Sequence, residues 1–408
     1  MSADAAAPLA APLAAATFVS APGAVLRAHL AAAASVYVEQ DTPLLVATLA
    51  VVARVDALFY GPPGEGKTAL ARAVVGAHGL SLFASTLSSW TDDAALLGPV
   101  DVPALTAGRY VRVAGKWLPQ ADVVFLDEIG RAGRGVRDLV LSAYAERALP
   151  DGTPIAARAI LAATNTALTD EEDRALADRH PLRCTVRPIA DDDRWLDVLD
   201  GGARPALPPL PAGTLAALDA AFARVTRPRG AGTVGAALAA IRSTLRAGTG
   251  LPAGSRAPTV STRRWIAADR VLRAHAAIHD RDVVTWDDLR VCLPLVLADG
   301  DETIPAIAYA VEAAIPAWVS QLAALRALVD DLVALARRKH VDGASLSADE
   351  AHALVEAEAT IAATAKAIGK EHGDTVGAEA KQIALAALDR LDAVADEAAA
   401  RRRAARAI

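Results

Sequence analysis

The sequence predicts an α/β fold: a parallel sheet covered by helices, then an all-helical domain, then a helical C-terminal extension. Three observations carry this reading. Apolar runs at Ala57–Tyr60, Ser81–Ser85, Asp122–Leu126, Arg158–Ala163 and Leu182–Arg187 alternate with helix-forming stretches, the order that places parallel strands between helices. The segment Asp200 to Pro211 holds Gly201, Gly202 and four prolines, so no helix continues through it. Beyond it the chain is alanine-rich and helical in pattern to Ile408, as alanine's high helix propensity allows.

Taken in order, residues 1–23 are rich in Ala and Pro and lack the basic start of a secretory signal, so a loosely ordered tail is expected. Ala24 to Ala53 reads as two helices parted near Gln40-Asp41-Thr42-Pro43. The strands and their helices then make an α/β domain over 24–200. Inside it, glycine turns flank alternating residues from Gly108 to Pro119, and a small β-hairpin is expected there. Residues 201–303 are expected to form a small helical domain, interrupted from Gly248 to Pro258. Residues 304–408 are expected to form a helical C-terminal domain, in which Leu322, Leu325, Leu328, Leu332 and Leu335 recur at helical spacing and predict helix packing.

The first strand run leads directly into Gly61-Pro62-Pro63-Gly64-Glu65-Gly66-Lys67-Thr68, and Ala69 opens the helix-forming stretch that follows. This is the G-x-x-x-x-G-K-[ST] phosphate loop in its strand–loop–helix context. Its glycines let backbone N–H groups turn toward a phosphate, the helix N-terminus adds partial positive charge, and Lys67 adds a full one. Thr68 offers a hydroxyl to Mg²⁺. A nucleoside triphosphate, ATP with Mg²⁺, is the expected ligand.

The third run ends in Asp127-Glu128. Asp127 is placed to hold the Mg²⁺ shell with Thr68, and Glu128 to polarise an attacking water, both fitting phosphoryl transfer. The fourth run ends in Thr164-Asn165, and Asn165 is placed beside the carboxylates to orient that water. The pair of carboxylates points to hydrolysis rather than binding alone.

The formal charge is −6, from 42 basic and 48 acidic residues, which leaves no global electrostatic footprint for nucleic acid. The run Arg401-Arg402-Arg403 fits a solvated helix end. No stretch of 18 strongly apolar residues suggests a membrane span. Cys184 and Cys292 lie far apart without metal-ligand spacing, which fits buried thiols in a reducing cytoplasm.

With these residues in order, the sequence resembles the AAA+ ATPases, within them the MoxR family, and within that its RavA subgroup. The resemblance runs through Leu97-Gly98-Pro99-Val100-Asp101, Gly108-Arg109-Tyr110, Leu118-Pro119, Phe125 to Ile129, Ala132-Gly133, Glu146-Arg147 and Ser261-Thr262-Arg263-Arg264-Trp265. It covers roughly Glu39 to Asp299. It implies a ring, usually a hexamer, with ATP sites between subunits and the helical domain acting as a lid. Arg179 matches the arginine finger that reaches a neighbour's γ-phosphate, with Arg183 as the alternative; Arg263 matches the sensor 2 arginine, with Arg264 adjacent. Glu39 resembles the segment bordering adenine. The resemblance further implies chaperone-like remodelling of a protein client or metal-cofactor insertion, commonly with a von Willebrand factor A (vWA) partner. The sequence departs from the family at His180-Pro181, which replaces an apolar continuation, and at Ala145, where Asn commonly precedes Glu146. The β-rich module of some RavA proteins is not recognisable in the last 100 residues.

Two rival readings stay open at this point. Arg109, Arg112 and Lys116 with Tyr110 and Trp117 on the hairpin could serve a nucleic-acid motor by charge and base stacking. A nucleotide-gated scaffold would use slow turnover only to set assembly.

Overall fold

The structure is a computed structural model that describes residues 21–113, 115–149, 152–165, 171–200, 208–230, 232–340, 347, 357–372, 390 and 393–394. The chain divides into two compact units, Met1–Glu312 and Ala313–Ile408. Residues 1–20 of the expected tail, residues 201–207 and most of the last 36 residues lie outside the described residues; the tail expected to run to residue 23 ends earlier, because Pro22 and Gly23 already belong to the first helix.

In the first unit, α1 (Pro22–Val36) and α2 (Asp41–Ala53) precede the sheet. From Val46 to Ala53 every residue of α2 is buried, because this helix is apolar all round and is enclosed by its neighbours. It ends at Arg54, in the left-handed region at φ 54°, and Arg270 donates twice to the Ala53 carbonyl that the helix end leaves open. Strands β1 (Ala57–Tyr60), β2 (Leu82–Thr86), β3 (Val123–Asp127), β4 (Ala159–Thr164) and β5 (Leu182–Thr185) form one parallel sheet in the order β2-β3-β4-β1-β5. Each predicted run is a strand, shifted by a residue or two at its ends. The central strands β3 and β4 are buried almost throughout, as parallel strands covered on both faces require.

Register decides what meets at the carboxyl edge. Tyr60 pairs with Thr164 and Thr185, and Leu126 with Ala162. The residues just past β1, β3 and β4 therefore emerge side by side, at the edge where open α/β sheets bind ligands.

Between β2 and β3 the structure corrects the hairpin expectation. The chain makes two short helices, α4 (Asp93–Leu97) and α5 (Val102–Thr106). The antiparallel contact then joins 99–101 to 111–113: Asp101 N–H donates to Val111 O, Val113 N–H to Pro99 O, and Val100 bridges Arg112. Among the described residues, Gly108 to Pro119 makes no backbone pairing within itself; its strand-like residues 111–113 pair outside it with 99–101, across α5, which Asp101 caps through Ala104 N–H at 2.9 Å.

Helix α3 (Lys67–Ala77) follows the glycine loop, α6 (Arg134–Glu146) follows β3, and α7 (Glu171–Arg179) leads into β5. Next come α8 (Asp192–Asp200), α9 (Thr214–Arg224), α10 (Val234–Ala247), α11 (Thr262–Ile278), α12 (Trp286–Leu297) and α13 (Ile304–Ala314). Helix α11 packs on α1, α2, α9 and α12, and its Ala267, Ala268, Val271 and Leu272 are buried there. A buried polar set holds α11 to α12: Asp288 takes hydrogen bonds from His275, Arg281 and the Thr285 amide.

In the second unit, α14 (Ala317–His340) buries Leu322, Leu325, Val329 and Leu332 against Ile361 and Ala365 of the helix Ala357–His372. The predicted leucine stripe is the packing face, with Leu328 and Leu335 at its margin.

Candidate active site

The glycine loop is built from backbone conformations that side chains disfavour. Gly61 has φ 155°, Gly64 φ 91° and Gly66 φ 81°. A Cβ on Gly61 would stand 2.3 Å from the Val186 carbonyl oxygen, so only glycine lets the loop pass β5. The Gly61 N–H donates to Thr164 O at 3.2 Å, tying the loop to the end of β4. Gly66 is the N-cap residue of α3, so its first N–H groups face the loop.

Lys67 is buried, and its Nζ donates to the Gly61 and Pro62 carbonyls at 2.8 and 2.7 Å. Thr68 Oγ1 donates to Asp127 Oδ2 at 2.9 Å. The other Asp127 oxygen accepts the Glu128 N–H at 3.0 Å. Glu128 sits in the left-handed region at φ 54°, a cost that recurs where a side chain must be aimed. Its Oε2 is buried with no hydrogen-bond partner among the described residues, and Arg131 Nε lies 3.6 Å away. Asn165 Oδ1 is likewise buried and unpartnered. The structure thus brings Lys67, Thr68, Asp127, Glu128 and Asn165 to one sheet edge, where two buried oxygens have no hydrogen-bond partner among the described residues and can accept from a ligand or water.

Glu39 has φ 56° and accepts from the Ala190 and Asp191 amides at 2.7 and 3.2 Å, so its carboxylate pins the entry to α8. It also lines a cleft of about 320 Å³ with Thr42, Pro43, Tyr60, Thr185 and Arg187. The residue borders a cleft at the carboxyl ends of β1 and β5, and its charge is taken up by backbone amides.

The four arginines separate into two kinds. Arg264 is 1% exposed, and its guanidinium donates to the Val296, Ala298 and Thr259 carbonyls and to Asp299. Arg264, beside the sensor 2 candidate, therefore stitches the start of α11 to the end of α12. Arg183 is occupied in the same way, on the carbonyls of Ala177, His180 and Ala298, with Asp299 at 3.5 Å. Burial lowers its pKa to about 10.

Arg179 and Arg263 are the more accessible members. Arg263 donates to Asp178 Oδ2 at 2.9 Å, and Ser261, the N-cap of α11, donates to Asp178 Oδ1 at 2.6 Å. Arg179 donates to Ala175 O, and its Nε is buried without a partner among the described residues. Partial burial, then the nearby Arg263 charge, lower the Arg179 pKa. Asp178 is thus taken by Arg263 and Ser261, with Arg179 close by. Among the described residues, neither arginine makes a hydrogen bond or ion pair with Gly61–Thr68, Asp127 or Glu128.

On the excursion after α4, Arg112 donates to Gly98 O and Asp93, and its guanidinium lies over the Tyr110 ring at 5.9 Å. Trp117 packs its indole on Gly98 and Gly115 and donates to Val113 O. Tyr110, Val111 and Val113 are exposed. Among the described residues, no helix is long and apolar enough to cross a membrane, and no group of three His, Cys, Asp or Glu could hold a metal ion. Both cysteines are buried free thiols.

Comparison with known proteins agrees with this architecture. Residues 24–208 match a family described as the MoxR domain in the MoxR-vWA-beta-propeller ternary systems, and residues 234–310 match an AAA lid domain. Two uncharacterised proteins of Methanocaldococcus jannaschii are 27% identical over 170 residues and 28% identical over 159 residues. These stretches cover 41% and 38% of this chain, and 46% and 42% of the relatives, so the chain spans less than half the length of either. A crystal structure from Cytophaga hutchinsonii, described as a presumed ATPase, superposes with a TM-score of 0.52 at 17% identity, over 68% of this chain and 86% of that one. That likeness speaks for the fold. The chain thus carries a match to a MoxR domain over residues 24–208, followed by a match to an AAA lid domain over residues 234–310.

Proposed function

We propose that this chain hydrolyses ATP with Mg²⁺ as a homo-oligomeric ring, a hexamer by family resemblance, in which each site is completed by Arg179 of a neighbouring subunit. The turnover drives chaperone-like remodelling of a protein client together with a vWA partner. The observation that carries the hydrolytic part is the convergence of Lys67, Thr68, Asp127, Glu128 and Asn165 at one sheet edge, where Glu128 Oε2 and Asn165 Oδ1 are buried without a hydrogen-bond partner among the described residues.

The residues fit the ligand. Thr68 and Asp127 form an all-oxygen donor set suited to Mg²⁺. Held there, Mg²⁺ would supply positive charge that offsets the charge of the triphosphate. Lys67 exchanges its loop carbonyls for phosphate oxygens, and the α3 N-terminus adds N–H donors. Glu128 accepts a proton from the attacking water, which Asn165 orients. Gly61 to Ala69 and Glu39 line the nucleotide path.

The shared-site part rests on the arginine cluster. Arg183 and Arg264 are engaged by carbonyls and by Asp299, which favours Arg179 as finger and Arg263 as sensor 2. Arg263 is paired with Asp178, and among the described residues Arg179 makes no bond to its own phosphate loop, which supports a finger that serves an adjacent subunit's phosphates. The partner reading is supported by the matched family's description, which names vWA and β-propeller components. Within the family the order Leu97–Asp101, Gly108–Tyr110 and Leu118–Pro119 favours the RavA subgroup. Cytoplasmic residence fits the two free thiols. The domain reading that accompanies the proposal is an α/β domain over 24–200, a lid over 201–303 and a C-terminal domain over 304–408.

The test is native mass and phosphate release for the wild type, Glu128→Gln and Arg179→Ala, with no nucleotide, ADP and ATP. An ATP-dependent oligomer whose hydrolysis is lost in both variants is the expected result. A monomer under every condition overturns the shared site.

A further inference from the structure

The residue after Arg179 is the place where the sequence departs from the family it resembles, and the structure gives that departure a geometry. His180 is fully buried. Its Nδ1 lies 2.9 Å from the Leu176 carbonyl, and its Nε2 lies 2.5 Å from the Tyr144 hydroxyl. A carbonyl only accepts, so Nδ1 carries the proton, Nε2 is the acceptor, and Tyr144 donates to it. The two rings meet edge to face at 4.4 Å. Burial, the largest cause, lowers the His180 pKa to about 3, and burial raises that of Tyr144. The donor and acceptor roles therefore hold at any pH at which the protein works.

The bond joins two elements with different duties. Tyr144 sits on the last turn of α6. That helix starts just past Glu128, and Arg137 ties its first turn to the Gly130 and Ala132 carbonyls, inside the turn that follows the carboxylates. His180 closes the last turn of α7, where Arg179, His180 and Arg183 each donate to one of the carbonyls Ala175, Leu176 and Ala177. An apolar residue at 180 would fill the space but give no directional link between the two helices.

We propose that Tyr144 and His180 are positioning residues that hold Arg179 in register for the neighbouring subunit's ATP, linking it through α6 to the carboxylate turn of its own subunit. The inference rests on Arg179 being the finger. It concerns a pair of residues that touch neither nucleotide nor phosphate loop.

The decisive experiment mixes oligomers. Tyr144→Phe keeps the ring and deletes the donor. Alone, it lowers kcat by about 10- to 100-fold, the scale of a misplaced catalytic group, with nucleotide affinity and native mass unchanged. Mixed with Glu128→Gln subunits, which cannot hydrolyse but offer an intact Arg179, turnover per Tyr144→Phe subunit recovers, because the defect lies in what a subunit gives its neighbour. Arg179→Ala mixed with Glu128→Gln is the control. If Arg179→Ala recovers and Tyr144→Phe does not, the positioning role falls and the shared site stands. If neither recovers, the finger assignment fails and takes this inference with it. The double variant Tyr144→Phe/His180→Leu removes both polar partners, which is nearly neutral for folding, and carries the same test should Tyr144→Phe not fold. Wild-type turnover in the double variant overturns the proposal.

Discussion

Thr68 Oγ1 and Asp127 Oδ2 are joined by a 2.9 Å hydrogen bond across 59 residues of sequence. The bond lies between the first turn of α3 and the end of β3. Beside it, Glu128 is held at φ 54° with one buried carboxylate oxygen that has no hydrogen-bond partner among the described residues. Replacing Glu128 by Gln keeps the volume and removes the base. Hydrolysis is expected to fall by about 10²- to 10⁴-fold, the range for a positioned general base, while ADP affinity changes less than threefold. Phosphate release beside a fluorescent-nucleotide titration measures both; unchanged turnover removes Glu128 from the mechanism.

Gly61→Ala tests the loop. The added methyl would meet the Val186 carbonyl at 2.3 Å, in a backbone region that alanine disfavours. Nucleotide affinity is expected to drop at least tenfold, because the loop must move away from β5. Retained affinity would show that the loop relaxes without cost.

Arg264→Met tests the structural assignment. The change leaves Asp299 and the Val296 and Ala298 carbonyls without their buried partner. The expected loss is about 3–5 kcal/mol, as for a buried charge pair broken on one side, read by denaturant unfolding. Arg263→Met, at a half-exposed ion pair, is expected to cost stability little and to lower turnover instead. The reverse pattern exchanges their roles.

Acid stability carries a signature of His180. Its folded pKa is lowered to about 3 by burial, whereas an unfolded histidine titrates near 6.5. The unfolded chain therefore binds a proton that the folded chain refuses, and stability falls as pH drops from about 6.5 toward 3, by up to about 1.4 kcal/mol per unit. Tyr144→Phe/His180→Leu should flatten that slope in a comparison of unfolding free energy against pH. An identical slope would place the proton uptake elsewhere.

Nucleic acid should leave turnover unchanged. Arg112 is engaged by Gly98 and Asp93, and the Trp117 indole is packed on two glycines, which takes the central cation and one of the two stacking rings out of reach. ATPase assays with single- and double-stranded DNA across a salt series are expected to show no stimulation. A steep salt-dependent rise would revive the motor reading.

Much of this was legible in the chain itself. The five strands, the glycine loop and the Asp127-Glu128 and Asn165 positions are written in local pattern, because a buried parallel strand must be a continuous apolar run and a phosphate loop must have glycine where φ is positive. The hairpin expected from Gly108 to Pro119 is replaced by pairing of 111–113 with 99–101, because period-two alternation over so few residues does not name its partner.

Choosing among the arginines was beyond any local pattern. Arg263 and Arg264 are neighbours on one helix turn, yet one faces Asp178 on α7 and the other is sealed beneath α12. Arg179 and Arg183 divide in the same manner around His180. By itself the sequence determined the fold class, the phosphate loop and the carboxylate pair, since each depends on residues adjacent in the chain. Tertiary structure alone decided which guanidinium is consumed by carbonyls, which is held by Asp178, and that Tyr144 meets His180. Those outcomes depend on contacts between elements 30 to 90 residues apart, where the cost of leaving a buried polar group unpaired selects the partner.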